Sequence, residues 1–374
     1  MKILLFGGSF DPVHSQHVAL ARAAKKALGA ERLIVIPSAI APHKRSGASA
    51  DGAARIEACK IAFRGIGAEV SAYEIEQGDT SYSYLTCEHF RARYPDAELY
   101  FLMGADMLGN FPLWKYPGRI LDCVTLAVGR RGDENLTRFA QTLYARYGKR
   151  IAEIPFTGKP VSSSKIRVEL AFGKKPEALD GEVYRFLKEK GLYAYSAVLP
   201  ALALEKPERR EHSFRVALTA VAHARNAGVS ADKALLSAAL HDCGKYVPLS
   251  SPLLKGFRAP KNVPPPVMHQ YTGAFLAEHR FGVTDPDVLN AIRYHTSGRE
   301  DMSPLERLIL IADMLEPARD FEGIDTLRAA LERDLDECLY LCLKRQLAYL
   351  RARNFPIYSL TERAFVWIKA KIGK

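Results

Sequence analysis

The stretch of the chain best suited to chemistry is a glycine turn that carries two histidines, residues 7–17 with the sequence GGSFDPVHSQH. It follows the apolar run Lys2 to Phe6 and opens an amphipathic run that continues to Leu28. This order predicts a strand, a tight turn and a helix whose free backbone N–H groups can bind phosphate. His14 and His17 are three residues apart, so both can project from one face of the first helical turn. Two imidazoles placed there can stabilise charge on a reacting phosphate without bonding to it.

The turn differs from the two common nucleotide-binding loops. It lacks the Lys-Ser or Lys-Thr end of a Walker loop, and it lacks the G-x-G-x-x-G spacing of a dinucleotide fingerprint. A bland alternative makes one histidine a helix cap and the other an ordinary surface residue.

A second group of polar residues interrupts apolar helical runs in the other half of the chain. His241 and Asp242 follow KALLSAAL, and Asp313 lies inside LILIADML. Burying these side chains without partners would cost several kcal/mol, so metal coordination is the economical explanation. Histidine nitrogens with carboxylate oxygens suit Fe, Mn or Zn. The candidate ligands are His212, His241, Asp242, His269, His295 and Asp313; any single histidine among them could instead be a satisfied core residue.

The first half must position the glycine turn, and its pattern alternates strands with helices. Short apolar runs predict strands at 2–6, 32–37, 69–75, 98–103, 124–128 and 151–156, with helices at 17–28 and 55–66. Such alternation predicts an α/β fold with a Rossmann-like, doubly wound parallel sheet.

The second half reads almost entirely as helix. Helical runs cover 211–227, 230–241, 268–280, 285–295, 304–315 and most of 324–351, with a proline-rich loop at 248–266. Residues 196–208 carry two prolines and no strong periodicity, which predicts a linker. We therefore expect an α/β domain over 1–195 and an all-α domain over 209–374.

Several polar residues follow predicted strands of the first half, at the sheet edge where such folds bind ligands. Lys44 follows the second strand, and Arg130 follows the fifth. Asp106 can accept hydrogen bonds from ribose hydroxyls, and Trp114 can stack on a planar ring. Taken singly, Lys44 could lie in a solvated basic loop, Asp106 could be a helix cap and Trp114 could be a core residue.

A serine run closes the first half. Ser162, Ser163 and Ser164 precede Arg167 at a predicted helix start. Hydroxyls and free N–H groups can bind phosphate oxygens there, and the guanidinium adds positive charge.

Composition limits the remaining options. Nearly half of the 374 residues are apolar, and no apolar run of about 20 residues or signal peptide is present, so we expect a soluble cytoplasmic protein with no membrane role. The six cysteines show no C-x-x-C spacing and are expected to be free thiols. The net charge of +11 is spread over both halves, which suits small polyanionic substrates better than nucleic acid.

The glycine turn resembles the signature of the nucleotidyltransferase superfamily, and the later motifs narrow the likeness to bacterial nicotinate-mononucleotide adenylyltransferases. The resembling stretches are 7–17, the Pro-His-Lys that ends at Lys44, 81–83, 104–114 and 162–167. Three positions depart from the family pattern: Gln16 replaces a glycine, Leu85 an aspartate and Ser164 a threonine.

This resemblance implies adenylyl transfer from ATP, carried with Mg²⁺, to nicotinate mononucleotide. It implies that charge is stabilised by His14, His17, Lys44 and Arg167. It further implies that substrates are bound by Gly7, Gly8, Ser9, Phe10, Tyr82, Ser83, Gly104, Asp106, Trp114, Arg130, Ser162 and Ser163.

The second half resembles the HD-domain phosphohydrolases, more narrowly the group that cleaves diadenosine tetraphosphate symmetrically into two ADP. The resembling motifs are HDCGK, AIRYHTSGR and LIADMLEPARDF. The likeness implies a metal site of Fe or Mn, dinuclear in one reading, with Asp242 also catalytic. His212, His241, Asp242 and Asp313 would hold the first metal and His269 and His295 would complete a second site, while Lys245, Arg299 and Arg319 would hold phosphates.

Three rival functions stay open. The first domain could transfer a nucleotide to another acceptor, or the second domain could be a nucleotide sensor that regulates the first. A nucleic-acid-binding role rests on charge alone. A homo-oligomer is compatible with every reading.

Overall fold

The computed structural model describes residues 1–39, 50–78, 80–130 and 136–374, which form two compact units. The first unit comprises Met1–Arg167 with Lys175–Tyr193, and the second comprises Val168–Lys174 with Ala194–Lys374. The sequence-based domain limits of 195 and 209 stay predictions.

The first unit is built on a parallel six-stranded sheet. Its strands are β1 (Lys2–Gly8), β2 (Arg32–Pro37), β3 (Glu69–Val70), β4 (Glu98–Gly104), β5 (Thr125–Arg130) and β6 (Ala152–Thr157). Their order in the sheet is β3-β2-β1-β4-β5-β6, and every pair is parallel. From β1 the chain adds β2 and β3 on one side, and it then adds β4, β5 and β6 on the other side of β1. This change of direction places a crevice at the carboxyl ends of β1 and β4, where doubly wound sheets bind ligands.

The central strands are apolar on both faces because helices cover both sides of the sheet. Ile3, Leu4 and Leu5 of β1 are fully buried. The helices of this unit are α1 (Ser15–Leu28), α2 (Gly52–Phe63), α3 (Tyr73–Gln77), α4 (Ser83–Arg93), α5 (Ala105–Leu108), α6 (Pro117–Cys123), α7 (Leu136–Tyr147), the first part of α8 (Ser163–Ala171) and α9 (Gly181–Glu189). The rest of α8, from Val168, is assigned to the second unit. The predicted doubly wound α/β fold is confirmed.

One strand prediction for the first unit is wrong. The alternating run from Glu69 to Ile75 predicts a strand of seven residues, but β3 has two, and α3 follows it directly. β3 is an edge strand with β2 as its one partner, so few ladder bonds hold it extended. The Ser71 hydroxyl accepts the Tyr73 N–H at 3.2 Å and turns the chain.

The regular elements of the second unit, in the part of the chain that the structure describes, are all helices. Its helices are α10 (Val198–Leu202), α11 (Pro207–His223), α12 (Ala231–Leu240), α13 (Met268–His279), α14 (Pro286–Arg293), α15 (Pro304–Leu315), α16 (Ile324–Arg333), α17 (Leu335–Ala352) and α18 (Ser359–Lys371). Ala217 and Ala220 of α11 and Ala238 of α12 are fully buried in one apolar core. Small side chains at these positions let the helices that carry the candidate metal ligands pack closely.

The predicted linker, residues 196–208, contains α10, whose Val198 and Ala201 are fully buried. One helix prediction for the second unit differs from the structure. The predicted helical run 324–351 is divided at Asp334, whose extended backbone and carboxylate cap the start of α17 by accepting the Glu337 N–H at 2.7 Å.

The remaining features of the fold are the state of the cysteines and the character of the helices. The six cysteines all lie in the described residues, where each is buried with a free thiol. Within the described ranges, none of the helices combines the length and the apolar character needed to cross a bilayer.

Candidate functional site

The glycine turn of the first unit joins β1 to α1 at the switch point of the sheet. A side chain at Gly7 would place its Cβ 3.2 Å from the Phe101 ring of β4, and one at Gly8 would lie 3.0 Å from the Phe10 ring. Phe10 itself has a φ of 46°, in the left-handed region. A side chain at either glycine would therefore require the neighbouring ring to shift by a few tenths of an ångström.

The two histidines of the turn lie against each other at the helix start. His14 is the N-cap of α1, and its ring stacks on that of His17 with centroids 3.6 Å apart and an angle of 19°. The His14 backbone N–H donates to His17 Nδ1 at 3.2 Å. Nδ1 of His17 is thus an acceptor, and neutral His17 carries its proton on Nε2. The pair presents imidazole groups at a helix N-terminus, as a phosphate site requires.

The predicted serine and arginine cap meets the same turn. Ser163 Oγ donates to the Pro12 carbonyl at 3.0 Å, and Ser162 Oγ accepts the Lys165 N–H at 3.2 Å. Arg167 is buried, and its Nη1 donates to the Asp11 carbonyl at 2.6 Å. Arg167 thus stabilises the glycine turn through the backbone of Asp11. Its direct contact with phosphate stays a prediction.

Three buried residues beneath the turn were missed by sequence reasoning. Arg55 Nη1 donates to the carbonyls of Ser9 and Ser38 at 2.8 and 2.7 Å. The Tyr193 hydroxyl donates to Asp11 Oδ1 at 2.6 Å, and burial followed by the Asp11 charge raises the pKa of Tyr193. The position of Asp11 inside the glycine stretch was the one available signal for this network.

The remaining predicted residues of the first unit lie at the carboxyl edge of the sheet. Gly104 ends β4, and Asp106 follows it, exposed, in α5. Trp114 is half-buried, with its ring 5.3 Å from that of Phe111. Tyr82 and Ser83 begin α4.

Two predicted basic residues cannot be placed in the same way. Lys44 lies outside the described residues, and Arg130 ends β5 with a side chain that is likewise outside the description.

In the second unit, five helices and their ends bring the six candidate ligands together. His212 lies on α11, His269 on α13 and Asp313 on α15. His241 and Asp242 directly follow α12, while His295 follows α14 by two residues. Two sets of three have ligand atoms within 4.8 Å of one another, and both sets include His241: His212 with His241 and Asp313, and His241 with Asp242 and His295.

Short distances link these sets into one cluster, which we call the His/Asp cluster. His212 Nε2 lies 2.9 Å from Asp313 Oδ1. Asp242 Oδ1 lies 3.1 Å from His269 Nε2 and 3.7 Å from His295 Nε2. The sequence-predicted ligand set is therefore spatially contiguous.

The imidazoles of the His/Asp cluster are oriented as metal ligands are. His241 Nδ1 lies 2.7 Å from the Ala238 carbonyl, and His295 Nδ1 lies 2.8 Å from the Ile292 carbonyl. A carbonyl accepts, so Nδ1 carries the proton and the Nε2 lone pair points into the cluster. In the described part of the chain, the buried Nε2 atoms of His212 and His241 form no hydrogen bond of good geometry. This donor set fits a divalent metal.

Burial and neighbouring charges set the protonation of the cluster. Burial lowers the pKa of His295 to about 4 although Asp242 opposes the shift. Burial raises the pKa of Asp242, but the charge of His241 and hydrogen bonds from His241, His269 and His295 together hold it well below its usual range. Burial lowers the pKa of His241, but Asp242, Asp313 and Glu205 together raise it to about 9. Metal binding at His241 would therefore displace a proton.

Basic residues surround the acidic members of the cluster. Arg209 Nη1 and Lys245 Nζ lie 3.0 and 3.2 Å from Asp242 Oδ2. Arg319 Nη2 donates to Asp313 Oδ1 at 3.2 Å. Arg299, by contrast, forms a bidentate pair with buried Glu306 at 2.7 and 2.8 Å. Lys245 and Arg319 thus lie at the cluster, whereas the guanidinium of Arg299 is engaged by Glu306.

Sequence reasoning missed the residues that orient the ligands. Glu316 Oε1 lies 3.2 Å from His212 Nδ1, and Arg215 fixes Glu316 at 2.7 Å. Fully buried Gln270 accepts the N–H groups of Thr296 and Ser297, which anchors the loop after His295 to α13. Glu316 follows Asp313 by one helical turn, and that spacing was the available signal.

Comparison with known proteins agrees with this division of the chain. The cytidylyltransferase-like family matches residues 5–169, and the HD domain family matches residues 209–318. The chain is 30% identical over 367 residues to a probable nicotinate-nucleotide adenylyltransferase/Ap4A hydrolase of Mycoplasma pneumoniae, covering 93% of this chain and 99% of the relative.

Two further relatives match half of the chain each. A symmetrical bis(5'-nucleosyl)-tetraphosphatase of Bacillus subtilis is 35% identical over 179 residues, which is 45% of this chain and 95% of the relative. A probable nicotinate-nucleotide adenylyltransferase of Bordetella avium is 37% identical over 197 residues, which is 51% of this chain and 98% of the relative. The chain therefore belongs to the family of two-domain proteins that the nicotinate-nucleotide adenylyltransferase/Ap4A hydrolases represent.

Proposed function

We propose that the chain is a bifunctional enzyme. The first unit transfers the adenylyl group of ATP to nicotinate mononucleotide, giving deamido-NAD and pyrophosphate. The second hydrolyses dinucleoside polyphosphates such as diadenosine tetraphosphate to ADP. The observation that carries the proposal is the occurrence in one chain of a glycine turn with two histidines at the sheet switch point and of a contiguous His/Asp cluster. The full-length relative with both activities in its name supports it.

In the transfer, a phosphate oxygen of nicotinate mononucleotide attacks the α-phosphorus of ATP in line. The new P–O bond forms as the bond to the bridging oxygen breaks, and pyrophosphate leaves with that electron pair. His17 donates Nε2–H to the charged phosphate oxygens, and His14 lies stacked against it. Lys44, Ser162 and Ser163 complete the predicted phosphate contacts, and Mg²⁺ accompanies ATP. A protein nucleophile is not required, so positioning and charge stabilisation supply the catalysis.

Recognition of the acceptor, nicotinate mononucleotide, is assigned to the carboxyl end of β4 and to the segment that follows it. The Trp114 ring lies 6.4 Å from that of Phe101 and 5.3 Å from that of Phe111, and we assign this ring to stacking on the pyridine. Asp106 is exposed in α5 and is assigned to ribose hydroxyls, while Tyr82 and Ser83 at the start of α4 are assigned to the pyridine nucleotide.

Replacement of Trp114 by alanine is expected to raise the KM for nicotinate mononucleotide about three- to tenfold, the range for loss of one aromatic stack, and to change the KM for ATP less. Steady-state kinetics with each substrate varied in turn measures both values. The neighbouring Leu113→Ala variant is the control, because Leu113 is 83% exposed and has little packing to lose. An equal rise for both substrates would contradict the assignment.

Hydrolysis is assigned to the His/Asp cluster. His212, His241, Asp242 and Asp313 would hold one divalent metal, Fe or Mn, and His269 and His295 would complete a second site. Such a metal supplies Lewis-acid chemistry that activates water and stabilises phosphoryl charge. Lys245 and Arg319 lie beside the cluster and are positioned to bind the negative phosphate chain.

The Glu316→Ala variant is expected to bind the metal 10- to 100-fold more weakly, the usual range for loss of an outer-shell partner, because Glu316 orients the His212 ring. Calorimetric titration of each variant with Mn²⁺ measures the metal affinity. The control is Glu332→Ala, since Glu332 also faces a histidine, His223 at 3.7 Å, but is 66% exposed and outside the cluster. Equal metal affinity in the two variants would exclude the orienting role of Glu316.

An assay of the full-length protein tests the proposal as a whole. Purified protein should form deamido-NAD from ATP and nicotinate mononucleotide, and it should convert diadenosine tetraphosphate to ADP with Mn²⁺ or Fe²⁺ but not with a chelator. Transfer to another acceptor would favour the acceptor alternative. A metal-loaded protein that is inert on every dinucleoside polyphosphate, yet whose transfer rate changes when diadenosine tetraphosphate is added, would replace the hydrolase with the sensor.

A further inference from the structure

A buried carboxylate of the first unit lies outside the residues assigned to substrates. Glu74 of α3 is 8% exposed, and its Oε1 accepts a hydrogen bond from the hydroxyl of buried Thr86 in α4 at 2.6 Å. Burial raises the pKa of Glu74, while hydrogen bonds from Thr86 and Ser81 and the charge of Arg55 oppose the rise. Burying a carboxyl group costs free energy, so the fold retains Glu74 at some expense to its stability.

The helix that Glu74 contacts begins at the residues assigned to the acceptor. Tyr82 occupies the N-cap position of α4, and Ser83 is the first residue of the helix. A Ser, Thr, Asp or Asn side chain at an N-cap would accept an N–H group of the first turn, and tyrosine is not suited to this role. The position of this helix start therefore depends on contacts from other elements, of which the bond from Thr86 to Glu74 is one.

A run of hydrogen bonds connects the same helix start to the glycine turn. The Ala39 N–H, just after β2, donates to Ser81 Oγ at 2.9 Å. The preceding residue, Ser38, donates its N–H to the Gly8 carbonyl at 2.9 Å. Arg55 Nη1 donates to the Ser38 carbonyl at 2.7 Å and to a carbonyl of the turn at 2.8 Å. The distance from the turn to the start of α4 is thus set by buried polar contacts.

Close packing fixes the helix that carries Glu74. A Cβ at Gly52, the first residue of α2, would lie 2.5 Å from Ile75 Cγ2 of α3. α3 therefore lies directly against the start of α2, the helix that also carries Arg55. Because its own helix is held in this way, Glu74 can serve as a rigid support for α4.

We propose that Glu74 is a positioning residue for adenylyl transfer, which holds the start of α4 so that the bound acceptor presents its phosphate to ATP at the glycine turn. The inference rests on the proposed transferase function and adds to it the residue that aligns the acceptor. In-line attack requires the reacting atoms to lie about 3 to 3.5 Å apart, and a misplacement of about 1 Å can cost about 10² in rate.

The test compares Glu74→Ala with Glu74→Gln in the full-length protein. Alanine removes the acceptor of the Thr86 hydroxyl, so kcat/KM for nicotinate mononucleotide should fall about tenfold while the KM for ATP changes less than about twofold. Glutamine keeps an oxygen that can accept this hydroxyl, so it should restore kcat/KM to within about threefold of the wild type. Glu76→Ala is the matched control, because Glu76 lies in the same helix but is exposed.

A second variant approaches the same bond from α4. Thr86→Val keeps the volume of the side chain and removes its hydroxyl, so it should also lower kcat/KM for nicotinate mononucleotide. The double variant with Glu74→Ala should lose less than the two single losses together, because both act through one hydrogen bond. Should the alanine variant fail to fold, Thr86→Val makes the comparison between the two substrates.

Three results would overturn the positioning role: kcat/KM within twofold of the wild type in both Glu74→Ala and Thr86→Val, an equal loss for both substrates, or a loss that glutamine does not restore. Calorimetric binding of nicotinate mononucleotide separates this inference from the proposed function. If Glu74→Ala weakens that binding but the wild type transfers no adenylyl group, the positioning role stands and the transferase proposal fails. If the wild type does not bind nicotinate mononucleotide, both fail.

Discussion

Replacement of His17 by alanine is expected to slow adenylyl transfer by about 10² to 10³, the usual cost of removing one donor to transition-state charge. Hydrolysis by the second unit should be unchanged. Nδ1 of His17 accepts the His14 N–H at 3.2 Å, so neutral His17 carries its proton on Nε2, and this is the N–H that we assign to phosphate. Single-turnover transfer measured beside the hydrolase activity of the same protein provides both values.

His17 also caps its own helix, so alanine could act through stability. The His17→Asn variant separates the two effects, because its amide oxygen can replace Nδ1 as acceptor for the His14 N–H but cannot reach the position of Nε2. We expect normal thermal stability and lost transfer in this variant. Transfer restored to within a few-fold of the wild type would make His17 a cap and not a catalytic group.

The regular elements that were predictable are those whose burial shows in the local pattern. β2 and α15 have the bounds that their sequences predict, because the β-branched run 32–37 is buried between two strands and α15 begins at a proline after its serine cap. The run 69–75 is also predicted as a strand, but it lies at the sheet edge, where β3 pairs with β2 over Glu69 and Val70. Position in the sheet, which the local sequence does not contain, decided between these outcomes.

The candidate sites were likewise predictable from local sequence only in part. Residue types in contiguous motifs predicted a ligand set that proved contiguous in space. Partners brought in by tertiary packing were not predictable: Arg167 is engaged by Asp11 and Arg299 by Glu306. An arginine in a motif shows no sign of which acceptor the fold will place beside it. Arg167 donates to the Asp11 backbone carbonyl, whereas Arg299 forms a bidentate pair with buried Glu306, which withdraws its guanidinium from a ligand.

Replacement of Asp242 by asparagine is expected to reduce hydrolysis by about 10³ or more, to lower the metal content, and to leave adenylyl transfer unchanged. Asp242 is 1% exposed and lies 3.0 Å from Arg209, 3.1 Å from His269 and 3.2 Å from Lys245. Neutralising it leaves two cations without their anion beside the place where a divalent cation must bind. One pair of unit charges at about 4 Å interacts by about 4 kcal/mol at an effective dielectric of about 20, which is close to a factor of 10³ in affinity.

Asparagine keeps the volume of the carboxylate, so the change tests charge rather than packing. Metal content by elemental analysis, hydrolysis and transfer should be measured on the same preparation, with Asp325→Asn as the control because Asp325 is 96% exposed. Full metal content with lost hydrolysis would mean that Asp242 acts on the substrate, and the ligand assignment would have to change. If the variant keeps its metal and its hydrolysis stays within a few-fold of the wild type, Asp242 is not part of the catalytic site. Its contacts with Arg209, Lys245 and the three histidines would then serve to stabilise the fold.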